Sequence, residues 1–298
     1  MSIADVIADA DLAPPNRPLI DRRMVRLCCW AVMLGFMAAA AAQLLTRLIA
    51  LITNLSFYQR LSFDSISPAG NGLGVWVLAP PLIGGLVVGL MAKYGSSAIR
   101  GHGIPEAMEQ VLTNESRTPA RMTWLKPLSA AVSIGTGGPF GSEGPIIATG
   151  SALGSLLGQL TRTTAGERKV LLSAGAAAGM AATFGTPVSA VLLAIELLLF
   201  EFRPRSLIPV ALASVTASGL RLLIEGSEPV FPMPMLGTPT AVALLTYVLV
   251  GCLMGIVAAG IIRITYGIED LFEHLPIHWM WWPLIGALAI GIVGYFAP

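Results

Sequence analysis

The sequence predicts an all-α polytopic membrane protein, and three observations support this fold class. Only 12% of its 298 residues are charged, whereas a soluble domain carries about 25%. Hydrophobic residues make up 55% of the chain and the mean hydropathy is +0.75. Apolar runs long enough to cross a bilayer recur along it. Helix is the expected state of these runs, because lipid leaves the open edge of a sheet without hydrogen-bond partners.

Nine apolar segments are predicted to be helical: 25–53, 74–93, 122–138, 143–161, 170–184, 186–202, 206–224, 239–266 and 280–297. Several are too short to cross about 30 Å of hydrocarbon at 1.5 Å per residue. Gly/Pro breaks separate them at 101-GHGIPE, 135-GTGGPFGSEGP and 184-FGTP. Irregular backbone at membrane depth survives only when it is buried in protein or lines a polar cavity. The pattern therefore indicates the broken helices of channels and transporters, whose N-terminal ends face an ion.

The distribution of arginine predicts the topology. Arg17, Arg22, Arg23 and Arg26 precede the first apolar run, so we expect a cytoplasmic N-terminus in the cell (inner) membrane. We divide the chain into a cytoplasmic segment, 1–23, and a transmembrane domain, 24–298. The chain stops at 294-GYFAP-298, at the end of an apolar run, and we therefore expect it to be a C-terminally truncated piece of a longer protein.

Composition argues against several classes of partner. The formal net charge of +1 gives no reason to expect nucleic acid. The three cysteines, Cys28, Cys29 and Cys252, all lie in apolar runs and are interpreted as small core residues rather than disulfides or metal ligands. We expect no metal and no cofactor.

The strongest functional signal is the segment 135-GTGGPFGSEGPIIATG-150. Glu143 is the only charged residue between Lys126 and Arg162, and an ionised group in mid-membrane costs about 2.5–3.5 kcal/mol or more. It precedes Pro145, which is typical of a helix start. The N–H groups of Ser142, Glu143 and Gly144 would then form an anion site that either the carboxylate or a mobile anion can occupy. The alternative is a carboxylate that only caps the helix, but this does not explain the surrounding glycines.

Two further segments carry candidate residues. In 101-GHGIPEAMEQVL-112, glycines and a proline again precede a short helix, and His102 either donates to an anion or only lines the path. In 175–206, a Gly-Thr-Pro break leads to a short helix that bears Glu196. Glu196 and Glu201 either pair with Arg203 or Arg205, or belong to a proton route.

Taken together, the three segments resemble the CLC family of chloride channels and chloride/proton antiporters. The family's GSGIP, G-(K/R)-E-G-P and AAAG…F-(N/G)-x-P…E motifs correspond to Gly101–Pro105, Gly141–Pro145 and Ala176–Glu196, in the same order. The resemblance covers roughly residues 25–298 and implies a CLC-type fold of broken, tilted helices in two inverted repeats. This chain would hold the first repeat and the start of the second.

The resemblance also implies a function and a site. It implies chloride transport, by a channel or an antiporter, in a homodimer with one path per subunit, with chloride and protons as the transported ions. Glu143 would be the gate and Glu196 the candidate proton route. The implied anion-binding residues are Gly101, His102, Gly103, Ile104, Ser142, Glu143 and Gly144.

Three positions depart from the family pattern. His102 replaces the usual pore serine, which leaves the anion selectivity open, and Ser142 replaces a common basic residue. Leu197 stands where antiporters carry an internal glutamate. Glu196 lies one residue earlier, about 100° around a helix. Channel and antiporter both remain open.

Two other classes of function compete with anion transport. In a cation- or proton-coupled transporter Glu143 would carry the ion, and further carboxylates should face the same cavity. An intramembrane serine hydrolase would use Ser142 or Ser151 with His102, but no nucleophile motif is present, and we expect no enzyme.

Overall fold

The computed structural model describes residues 21–101, 103–228 and 240–296, and within these ranges it contains helices and no strand. The all-α prediction is confirmed. The ten α-helices are α1 (Arg22–Tyr58), α2 (Ala79–Leu90), α3 (Ile104–Thr113), α4 (Met122–Gly135), α5 (Glu143–Leu160), α6 (Ala165–Phe184), α7 (Pro187–Ala194), α8 (Pro204–Glu225), α9 (Ala241–Glu273) and α10 (Trp282–Phe296).

Each predicted apolar segment contains a helix, and the differences lie at the ends. Helix α6 begins at Ala165, five residues before the predicted start at 170, because polar residues cap it. Thr164 Oγ1 accepts the Glu167 N–H at 3.3 Å, and Glu167 accepts the Thr164 N–H at 3.0 Å. Such a capping box lies outside an apolar pattern. Helix α9 likewise continues past residue 266 to Glu273, through polar helix formers.

The described helices vary widely in length, and some are short, as the Gly/Pro breaks predicted. Within the described ranges, five helical stretches are long and apolar enough to cross a membrane: Arg22–Tyr58, Gly74–Gly95, Pro204–Glu225, Ala241–Glu273 and Trp279–Phe296. Helices α3, α4 and α7 are shorter, with 10, 14 and 8 residues. Even the longest of these rises only about 21 Å. The protein is a multi-pass membrane protein that also contains helices too short to cross the bilayer.

The centre of the core is α6, which packs against α5 through small residues on both helices. A Cβ atom added to Gly150 would lie 2.1 Å from the Gly175 carbonyl oxygen. One added to Gly154 would lie 2.1 Å from the Leu171 carbonyl oxygen. The two backbones therefore touch, as small-xxx-small patterns allow in lipid. This contact fixes the position of α5, whose first residue is Glu143.

Helices α1 and α8 are joined at their N-terminal ends by an ion pair. Asp21 caps α1, where its carboxylate accepts the Met24 N–H at 2.7 Å. The same side chain accepts a 2.7 Å bond from the Arg205 guanidinium, in the first turn of α8. The two helices also meet further along, where a Cβ atom at Gly35 would lie 2.7 Å from the Ala213 carbonyl oxygen.

Candidate functional site

Helix α5 begins at Glu143 with its first backbone donors unpaired. The helical hydrogen-bond ladder starts with the Ile146 N–H, which donates to the Ser142 carbonyl at 3.0 Å. Pro145 has no N–H. Within the part of the chain that the structure describes, the N–H groups of Ser142, Glu143 and Gly144 form no hydrogen bond. This helix end therefore combines free donors with the positive end of the helix dipole.

The N-terminus of α3 meets the N-terminus of α5. Gly103 immediately precedes α3 and has a φ of 100°, in the region that favours glycine. A Cβ atom added there would lie 2.2 Å from the Gly144 carbonyl oxygen and 3.1 Å from the Gly144 Cα. Two motifs that are 40 residues apart in sequence are thus brought into backbone contact, which requires glycine at position 103.

The donors of α3 are arranged differently from those of α5. The Gly103 N–H donates to the Glu106 carboxylate at 2.5 Å, so Glu106 caps its own helix. The Ile104 N–H, by contrast, forms no hydrogen bond among the described residues. Among the described residues of this motif that are predicted to bind the anion, Gly101 and Ile104 therefore have N–H groups without a hydrogen bond. His102 lies outside the described residues.

A cavity of about 760 Å³ adjoins this junction. Gly101, Glu143, Gly144 and Pro145 line it, so the first and second motifs face a common space. Helix α4 and the start of α10 supply much of the remaining wall. The first two of the three predicted Gly/Pro breaks therefore contribute to the wall of a cavity, whereas the third, at 184–187, does not.

A polar stripe along α4, which was not predicted from the sequence, lines the same cavity. Its members are Lys126, Ser129 and Ser133 in α4 and Thr136 at the C-cap of α4, which recur at helical spacing. This periodicity is visible in the sequence and could have identified them. Ser129 and Thr136 donate their hydroxyl protons to carbonyls of α4. The Ser133 hydroxyl forms no hydrogen bond within the described ranges.

The charged groups that line the cavity are of both signs. Glu143 and Glu269 are the described carboxylates, and Arg100 and Lys126 the described cations. Arg100 is exposed and stacks on the Trp279 ring, with its guanidinium carbon 4.5 Å from the ring centroid. Lys126 is only 4% exposed. The side-chain N–H of Trp282, another lining residue, is buried without a described partner.

The third motif lies away from this cavity. Glu196 is exposed, in the π-helical turn Ile195–Leu199 that extends α7, and it does not line the cavity. Leu197 packs against the core, so the two side chains diverge. The predicted pairing of Glu201 with Arg203 is present, at 3.7 Å, whereas Arg205 pairs with Asp21.

Comparison with known proteins identifies the family. A sequence model described as voltage gated chloride channel matches residues 84–298, which is more than half of the chain. The chain belongs to the voltage-gated chloride channel family. This confirms the resemblance to the CLC proteins that the three motifs indicated.

Curated CLC relatives include both channels and exchangers. The chloride channel protein CLC-e of Arabidopsis thaliana is 29% identical over 234 residues, which cover 74% of this chain and 32% of that protein. The H(+)/Cl(-) exchange transporter ClcA of Vibrio campbellii is 28% identical over 215 residues, covering 70% of this chain and 46% of that protein. The chain thus spans between about a third and a half of these relatives.

Solved CLC structures share the fold of this chain. A slow cyanobacterial Cl-/H+ antiporter superposes with a TM-score of 0.76 at 20% identity, over 94% of this chain and 65% of that one. A CLC-type fluoride/proton antiporter gives a TM-score of 0.71 at 22% identity, over 92% and 65% of the two chains. The CLC-type helical fold predicted from the motifs is confirmed.

Proposed function

We propose that the protein containing this chain transports chloride or a similarly small anion across the membrane, with Glu143 as its gate. In the closed state the Glu143 carboxylate occupies the N-terminal end of α5. Protonation or displacement of the carboxylate frees the N–H groups of Ser142, Glu143 and Gly144 for the anion. The Ile104 N–H completes the site from α3, beside Gly101, His102 and Gly103. In this proposal the protein moves the anion without chemical conversion and uses no catalytic residue and no cofactor.

One observation carries this proposal: two helix N-termini with unpaired N–H groups meet at the Gly103–Gly144 contact, beside a cavity that Gly101, Glu143 and Gly144 line. Such ends attract anions because their free donors and helix dipoles add together. A capping carboxylate alone would need neither the cavity nor the second helix end. Membership of the family and relatives named as chloride channels and H(+)/Cl(-) exchangers support the same function.

Chloride efflux from liposomes that contain the full-length protein tests the gate. We expect Glu143→Gln to leave chloride efflux intact or faster, and to remove its dependence on pH, because the neutral amide no longer competes with the anion. Glu196→Gln serves as the matched control, since Glu196 is exposed and does not line the cavity. Efflux that keeps its wild-type pH dependence in Glu143→Gln would reject the gate.

A cation- or proton-coupled transporter is the alternative, and one observation favours it: Glu269 is a second carboxylate that lines the cavity. It lies near the end of α9 and is exposed. The buried group among the other charged residues that line the cavity is a cation, Lys126, which favours an anion. Replacing chloride by an impermeant anion separates the two functions, because only an anion transporter loses its current.

The proposal also concerns which glutamate any coupled proton movement requires. The position of Leu197 and the exposure of Glu196 favour a path in which Glu196 does not replace the internal glutamate of antiporters. Proton movement, where present, then requires Glu143. Proton uptake against a chloride gradient, measured in Glu143→Ala and Glu196→Gln, distinguishes the roles: the first variant loses it and the second keeps it.

We also propose how the protein assembles and how it is oriented in the membrane. We place residues 1–23 in the cytoplasm and 24–298 in the transmembrane domain of a homodimer in the cell (inner) membrane, with one anion path per subunit. The arginines before α1 support this orientation, because basic residues favour the cytoplasmic side.

A further inference from the structure

Lys126 is a buried cation that the gate mechanism above does not use. It lies in α4 and is 4% exposed, although lysine is almost never fully buried unless it is paired. Its Nζ donates to the carbonyl oxygens of Ile99 and Gly101, at 2.9 Å each. No carboxylate lies within ion-pair distance of it in the described residues. Its direct partners are therefore backbone carbonyls rather than a carboxylate.

The two carbonyls belong to the loop that leads into α3. Gly101 and Gly103 have φ values of 101° and 100°, so the loop depends on glycine at both positions. Lys126 holds the loop by donating to two of its carbonyl oxygens. Glu106 holds the same loop by accepting the Gly103 N–H. This loop places the α3 N-terminus against Gly144, and any shift would separate the two helix ends.

Lys126 also faces the cavity that Glu143 lines. An ammonium group has three N–H donors, of which two are bonded to the loop. The third has no acceptor among the residues that the structure describes, which leaves it free for an anion or water in the cavity. Arg100, the other lining cation, is exposed and stacks on Trp279, so solvent screens its charge more strongly.

We propose that Lys126 is a positioning residue for the anion path, which holds the 99–103 loop and supplies a fixed positive charge to the cavity. The inference rests on the proposed function, because it assigns Lys126 to the same site. A small monovalent anion gains from the ammonium in a region of low dielectric constant. A change that removes the charge should therefore weaken anion binding and spare the fold of α4.

Three variants of Lys126 separate the charge from the hydrogen bonds. Lys126→Met removes both, Lys126→Gln keeps an amide donor without charge, and Lys126→Arg keeps the charge. Chloride affinity of the full-length protein is measured by isothermal titration calorimetry, alongside chloride efflux from liposomes. We expect Met and Gln to weaken chloride affinity about tenfold and Arg to stay within about threefold of the wild type.

Lys169→Met is the matched control. Lys169 also donates from Nζ to a backbone carbonyl, that of Leu199 at 2.9 Å, but it does not line the cavity. We expect its chloride affinity to equal that of the wild type. If Lys126→Met does not give a monodisperse protein, Lys126→Gln decides, because its amide can still hold one loop carbonyl.

The outcomes are distinguishable from a failure of the proposed function. Wild-type chloride affinity in Lys126→Gln overturns the inference while the gate at Glu143 stands. Equal losses in the Gln and Arg variants also overturn it, because charge would then make no difference. A wild-type protein that neither binds nor moves chloride overturns the proposed function itself.

Discussion

At the scale of single residues, the site depends on Gly103, a residue without a side chain. Gly103 has a backbone conformation that costs other residues about 1–3 kcal/mol. A Cβ atom there would also overlap the Gly144 carbonyl, which belongs to rigid backbone. Glycine at 103 is therefore a requirement of the junction between α3 and α5.

We expect Gly103→Ala to reduce chloride efflux by at least about tenfold. The new side chain forces the two helix ends apart, and its backbone strain of roughly 1–3 kcal/mol destabilises the site. Efflux from liposomes, normalised to the amount of folded protein, measures the effect. Gly72→Ala is the control, since a Cβ atom at this loop glycine meets no atom within 4 Å. Wild-type efflux in Gly103→Ala would contradict the close junction.

At the scale of elements, helix ends are defined by polar contacts and helix crossings by small residues. Gly150 and Gly154 bring α5 within backbone contact of α6, and this fixes the direction in which Glu143 enters the cavity. At the other side of the core, Asp21 joins the N-terminal ends of α1 and α8.

The bond from the Met24 N–H, assisted by the Arg205 guanidinium, lowers the pKa of Asp21 below its ordinary value of 3.8. A lowered pKa means that the ionised carboxylate favours the folded state. Its stabilising effect is present above the ordinary pKa and is lost as the pH falls through the lowered pKa. We expect Asp21→Asn to lower the melting temperature slightly at pH 7, with the difference from wild type shrinking as the pH falls below the ordinary pKa of 3.8 and through the lowered pKa.

A double-mutant cycle checks the origin of this effect. Asp21→Asn combined with Arg205→Gln should lose less melting temperature than the sum of the two single variants, because the residues share one contact. Additive losses at pH 7 would show that the ion pair does not join the helices.

At the scale of the whole molecule, the sequence predicted the class of fold and the motifs at the junction, but not how they meet. Hydropathy located each apolar helix, because lipid demands long apolar runs. It misplaced the start of α6 because Thr164 and Glu167 form a polar cap. The contact between Gly103 and Gly144 joins distant segments and could not follow from local pattern alone.

The wall of the cavity was the least predictable part. Lys126 stands alone as a charge on α4, and only its periodicity with Ser129 and Ser133 indicates a shared polar face. Glu269 and Trp282 reach the cavity from segments more than 120 residues beyond Glu143, so no local motif connects them to it. The exposed side of Glu196 depends on the π-helical turn after α7, which shifts the helical register.

We propose that the Glu143 carboxylate and an anion alternately occupy one binding site at the N-terminal end of α5. Anomalous diffraction from crystals of full-length Glu143→Gln grown in bromide tests it most directly. We expect a bromide peak within hydrogen-bonding distance of the N–H groups of Ser142 to Gly144. In wild-type crystals at high pH the carboxylate should occupy the same position. A bromide peak that lies elsewhere in the variant, with these N–H groups facing lipid or protein, would contradict the account.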